Sequence, residues 1–75
     1  MADYELDLTG VACPMNFVKT RLFLDKIGSG DLLKVTLDGG EPLESVTSSV
    51  QSEGHAIEDT VKLSEDSYSL FIRKA

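Results

Sequence analysis

At 75 residues the chain has room for one domain, 1–75, with a single thin core. A hydrophobic content of 41% argues against disorder, and a net charge of -6 with scattered lysines and arginines argues against direct tight binding to nucleic acid or to an anionic membrane. One cysteine and one histidine exclude an internal disulfide and leave too few ligands for a dedicated zinc site, so no metal is expected.

The start, Met1-Ala2-Asp3-Tyr4-Glu5, lacks the basic and apolar stretches of a secretory signal, and every apolar run is broken by polar residues. A cytoplasmic protein is the expectation. Tyr4, Leu6 and Leu8 alternate with acidic neighbours, the period of a half-buried strand, and Gly10 ends it. Val11-Ala12-Cys13 forms a short turn. Pro14 then suits the first position of a helix running to about Ile27, because its missing N–H is no loss there. The apolar stripe of that helix is broad and ragged: Met15, Phe17, Val18, Leu22, Phe23, Leu24 and Ile27. Lys19, Arg21, Asp25 and Lys26 are its expected solvent positions.

Gly28 and Gly30 close the helix, and Asp31 to Asp38 reads as the second strand, with Leu33, Val35 and Leu37 facing the core. Gly39-Gly40 turns the chain and Pro42 opens a second helix, whose Leu43, Val46 and Val50 fall on one face. Gly54 stops it. A third strand is expected over about His55 to Leu63, with Ile57, Val61 and Leu63 on one parity. A polar hairpin at Glu65-Asp66-Ser67 leads to a last strand carrying Tyr68, Leu70 and Ile72.

The order β-α-β-α-β-β implies an α/β (α+β) two-layer sandwich, with a mixed four-stranded sheet and both helices on one face. Glu5, Asp7, Lys34, Thr36 and Glu58 alternate as expected of the uncovered face.

Cys13 stands just before Pro14, at or near the N-cap of the first helix. Unpaired N–H groups and the positive end of the helix dipole stabilise a thiolate there. The residues alone leave a second reading open, a buried and inert thiol. Asn16 is placed to accept an N–H bond in the first turn. Met15, Phe17 and Val18 are divided between core packing and an apolar rim that docks partners. Lys19 and Arg21 are divided between solvent and recognition of an acidic partner. His55 is expected to bond across a turn, and Gly39-Gly40 lacks the spacing of a phosphate loop.

Asp7-Leu8-Thr9-Gly10-Val11-Ala12-Cys13-Pro14 resembles the start of the TusA-like (SirA-like) sulfur-carrier family. The similarity continues through the first helix, the Gly28-Ser29-Gly30-Asp31 turn, the strand Leu32 to Leu37 and the pair Gly54-His55. The family's motif is Cys-Pro-x-Pro. Cys13, Pro14 and Met15 match it, whereas Asn16 stands at the second proline.

The resemblance implies that Cys13 receives a persulfide sulfur from a donor such as a cysteine desulfurase and relays it to an acceptor protein. That is sulfurtransferase activity in the broad sense, with a transient covalent persulfide and no cofactor. Pro14 and Asn16 support the site, and Met15, Phe17, Lys19 and Arg21 are candidates for docking. Donor, acceptor, pathway and oligomeric state stay open. The alternative is a noncatalytic binding or regulatory module on the same fold.

Overall fold

The computed structural model describes residues 2–11 and 15–75. Its elements are β1 (Tyr4–Asp7), α1 (Met15–Leu24), β2 (Leu32–Asp38), α2 (Glu41–Ser52), β3 (Ala56–Lys62) and β4 (Ser67–Arg73). The sheet order is β1-β2-β4-β3. β1 pairs with β2 in parallel, and β4 runs antiparallel to both β2 and β3. This is the expected two-layer sandwich, with both helices on one face of a mixed sheet.

Composition explains the strand order. β2 and β4 take the centre because they are the most apolar. Leu33, Val35, Leu37, Leu70 and Ile72 are all fully buried. The register sets Leu33 opposite Ile72 and Val35 opposite Leu70, so one face of both strands forms the floor of the core. β3, with Glu58, Asp59 and Lys62, takes an edge, where charged side chains discourage further strand pairing.

β3 departs from its expected parity. The register slips between Ile57 and Asp59, a bulge that sets two residues of β3 against one of β4. Ile57 keeps to the core side. Beyond the bulge Val61 pairs with Ser69, on the uncovered face, and both Val61 and Leu63 are exposed. Ile57, Val61 and Leu63 therefore do not share a face. One extra residue in a period-two element moves everything after it to the other side.

Glu58, at the bulge, takes a bidentate pair from Arg73: Nε donates to Oε2 at 3.0 Å and Nη2 to Oε1 at 3.1 Å. These hydrogen bonds hold the Glu58 carboxyl below its ordinary range and raise the guanidinium above its own.

The helices close over the sheet. α2 contributes Val46 and Val50, both fully buried, with Leu43 packed beside them as the spacing predicts. α1 contributes Leu24, and Ile27 follows from the turns beyond the helix. The helix is thus shorter than its expected span to Ile27, and its expected opening at Pro14 lies outside the described residues. Tyr4 of β1 meets Phe23 edge-on, with ring centroids 5.9 Å apart. At the turn into α2, a Cβ on Gly39 would lie 2.7 Å from Tyr68 Cε1, so no side chain fits unless that ring moves.

Candidate functional site

The parallel pairing of β1 and β2 sends both strands toward one end of the sheet, and each is followed by a helix. Residues 8–11, which follow β1, therefore lie near the Gly39-Gly40 turn that opens α2. Such an end, outside the carboxyl ends of parallel strands, is where α/β folds place their chemistry.

Four consecutive backbone N–H groups hold the chain as it leaves β1. The Leu8 N–H donates to Thr36 O at 2.8 Å, continuing the β1–β2 ladder, and the Leu8 side chain is buried. The Thr9 N–H donates to Asp7 Oδ1 at 3.0 Å, and the Thr9 hydroxyl donates to the same oxygen at 2.7 Å. The Gly10 N–H donates to Asp38 Oδ2 at 2.8 Å across 28 positions of sequence. The Val11 N–H donates to Leu8 O at 3.1 Å.

Gly10 has φ 77°, a conformation that side chains resist, so glycine is required at this turn. The Thr9 backbone and hydroxyl donors hold the Asp7 carboxyl below its ordinary range. Every donor from 8 to 11 is spent on the protein itself.

Cys13 and Pro14 lie outside the described residues, so the description resumes at Met15. Asn16, in the first turn of α1, is fully buried. Its Oδ1 accepts the Phe17 N–H at 2.7 Å, and its carbonyl accepts the Thr20 hydroxyl at 2.8 Å. Asn16 thus accepts an N–H bond from the residue after it, not by reaching back along the turn. The Phe17 bond also fixes the orientation of the amide, because a flipped Nδ2 would set donor against donor. Nδ2 is buried and has no partner among the described residues. An orphaned buried donor costs about 1–3 kcal/mol.

The outward side of α1 is apolar. Met15, Val18 and Leu22 follow at i, i+3 and i+7 and are 49%, 38% and 57% exposed. Lys19 is exposed beside them. Arg21 is tied by Nε to Glu53 Oε1 at 3.2 Å, bracing α1 against the end of α2. Phe17 turns inward and packs against the core. Of the residues expected to dock partners, Met15 and Lys19 thus face solvent, Arg21 is engaged and Phe17 is largely withdrawn.

His55 belongs to another part of the molecule. Its Nδ1 accepts the Ala75 N–H at 3.0 Å, which ties the turn after α2 to the residues beyond β4. Among the described residues no three His, Cys, Asp or Glu side chains gather as a metal site, and no helix is long and apolar enough to cross a membrane.

The bond from the Gly10 N–H to Asp38 is the part of the site that the sequence does not announce. The Asp7-x-Thr9 spacing is a readable turn signal. The reach of Asp38 is legible only once β1 is known to pair with β2, because that register extends Asp38 alongside residues 9 and 10.

Comparison with known proteins agrees with this architecture. Among solved structures, a SirA-like protein from Desulfitobacterium hafniense superposes with a TM-score of 0.82 at 15% identity, covering 93% of this chain and 95% of its own. A Helicobacter pylori protein gives 0.72 at 14% identity, with the same coverage. At these identities the likeness is one of fold.

In sequence, a candidate sulfur carrier protein of Archaeoglobus fulgidus is 36% identical over 73 residues, spanning 97% of this chain and 83% of that protein. The candidate sulfur carrier TsuB of Escherichia coli is 28% identical over 71 residues, 95% of each. The family described as sulfurtransferase TusA matches residues 4–74. With nearly the whole chain matched, this protein belongs to the TusA sulfurtransferase family, whose general role is that of a sulfur carrier.

Proposed function

We propose that this protein carries sulfur as a persulfide on Cys13, taking it from a donor such as a cysteine desulfurase and passing it to an acceptor protein in the cytoplasm. The observation that supports the reading most is the loop over residues 8–11, anchored at all four N–H groups and leading directly to the only cysteine. A carrier cysteine must meet two partners in turn. A pinned approach spares it part of the ordering cost at each meeting.

In the loading step the Cys13 thiolate attacks the outer sulfur of the donor persulfide. A new S–S bond forms to Cys13 Sγ. The donor's own S–S bond breaks, and its electron pair leaves on the donor cysteine as a thiolate. The outer sulfur keeps its hydrogen throughout, so no external oxidant or reductant is consumed. Unloading repeats the exchange with the acceptor thiolate as nucleophile.

Met15, Val18 and Leu22, with Lys19 beside them, form the docking face. Apolar side chains supply the buried area, and the lysine steers an acidic partner.

Intact mass after incubation with a cysteine desulfurase and free cysteine tests the carrier role. The expected product is protein heavier by one sulfur, absent without desulfurase and absent in Cys13→Ala. A folded wild-type protein that alkylates readily yet gains no sulfur from any donor would instead support the noncatalytic binding module.

A further inference from the structure

On the face of the sheet away from the helices, one row of side chains crosses all four strands. Glu5 of β1 pairs with Lys34 of β2, Lys34 with Phe71 of β4, and Phe71 with Asp59 of β3. The Phe71 ring has a groove on either side. One is lined by Ala2, Glu5 and Lys34. The larger, about 290 Å³, is lined by Leu32, Glu58 and Asp59.

The bulge in β3 makes the larger groove. In an unbroken strand Glu58 would follow Ile57 onto this face, and Asp59 would turn back toward the helices. The slip between Ile57 and Asp59 sets Asp59 opposite Phe71 and leaves Glu58 lining the same groove. Bulges that re-aim a side chain in this way gather beside functional sites.

The carboxylates of the row differ in what they hold. Glu58 is filled by Arg73, and Glu5 faces Lys34 Nζ at 3.6 Å. Asp59 accepts the Thr60 N–H at Oδ1 and has no cation among the described residues. Asp3 and Asp31 also act on Arg73, so this end of the face stays negative. In the next row Ser69 pairs with Thr36 and Val61. Ser69 is buried and its hydroxyl has no partner among the described residues, whereas Val61 beside it is exposed. An aromatic ring flanked by grooves, an unpaired carboxylate and an unpaired hydroxyl form a surface that an occupant completes.

Charge selects the occupant. An aromatic face beside a carboxylate attracts a cation. A guanidinium suits it best, because its plane stacks on the ring while its fork meets the carboxylate. The net charge of -6 disfavours a second copy of the chain, a nucleic acid or an anionic membrane. We propose that the groove between Phe71 and Asp59 receives an arginine side chain from a basic segment of a partner protein. The arginine stem lies against Leu32 and Phe71, and Val61 extends the apolar contact along the face. This surface is across the sheet from α1, so it rests neither on the carrier reading nor on the α1 docking face.

The probe is a disordered peptide of alternating arginine and glycine, titrated into isotope-labelled protein and followed by the backbone amide resonances. Lysine and citrulline versions run beside it. The expected shifts centre on Leu32, Glu58, Asp59, Thr60 and Phe71 and leave α1 unmoved. Arginine is expected to bind about threefold tighter than lysine and about tenfold tighter than citrulline, which keeps the plane without the charge. Phe71→Leu and Asp59→Asn are each expected to weaken binding about fivefold. Asp59→Asn alters an exposed side chain and keeps an oxygen for the Thr60 N–H, so it serves even if Phe71→Leu fails to fold. Asp25→Asn, which removes an equal charge beyond the end of α1, is expected to bind as the wild type does.

Absence of shifts at the groove, shifts spread evenly over the acidic surface, equal binding by Asp59→Asn and Asp25→Asn, or equal binding of the arginine and citrulline peptides overturns the proposal. Movement of the groove amides with protein concentration alone also overturns it, because the face would then belong to a second copy.

Discussion

The two helices cover the same sheet by opposite rules. α2 turns Val46 and Val50 inward and leaves Glu41, Glu44, Ser48 and Ser52 toward solvent. α1 buries Asn16 and Thr20 together with Leu24, and sends Met15, Val18 and Leu22 outward. Their starts differ as well. α2 begins at Gly40 with no side-chain cap, whereas the approach to α1 is gripped by the carboxylates of Asp7 and Asp38. A helix that served stability alone would resemble α2. The polar inner face and apolar outer face of α1 cost stability, and the docking role proposed for the outer face says what that cost serves.

The comparison breaks first under substitution of the inner faces. Val46→Ala in α2 removes two fully buried methyl groups and is expected to destabilise the fold by about 2 kcal/mol, measured by urea denaturation. That is a large share of the roughly 5–15 kcal/mol that holds a small domain together.

On the outer face of α1 the expectation reverses. Leu22→Glu is expected to change stability by no more than about 0.5 kcal/mol, because the side chain already stands in water. Sulfur loading by a cysteine desulfurase is expected to fall severalfold, while iodoacetamide alkylation of Cys13 proceeds as in the wild type. Equal loss of both reactions would mean that Leu22 supports the site rather than the partner.

The same contrast explains what could be read from the sequence. α2 is legible because Leu43, Val46 and Val50 repeat at helical spacing and the core answers that pattern. α1 reads as ragged because two patterns overlap in it, an inner face that is partly polar and an outer face that is apolar. Nothing in a linear sequence says which face meets the sheet. The burial of Asn16 and Thr20 appears only in three dimensions.

β3 misled for another reason. A bulge at Glu58 leaves no mark on composition, yet it reverses the sense of Val61 and Leu63. The family was legible from the residues around Cys13, whereas the grip of Asp38 on Gly10 depends on a strand pairing that the local pattern does not encode.

The smallest expected effect sharpens the difference between the two helix starts. The Asp7 carboxyl sits below its ordinary range in the folded chain because Thr9 donates to it twice. A carboxyl depressed in this way contributes stability that is fully present above its unfolded value. The contribution is lost as the pH falls through the folded value. Acid should therefore loosen the approach to α1.

Asp7→Asn keeps an oxygen that accepts from Thr9 but does not titrate. Its urea midpoint should fall less steeply than that of the wild type between about pH 5 and pH 2. The amide resonance of Thr9 should follow the Asp7 titration in the wild type and stay flat across it in the variant. Gly10 supplies the internal check, because Asp38, not Asp7, accepts its N–H. If the Gly10 amide moves with that of Thr9 in Asp7→Asn at neutral pH, the two carboxylates act as one clamp; if only Thr9 moves, each holds its own residue of the loop.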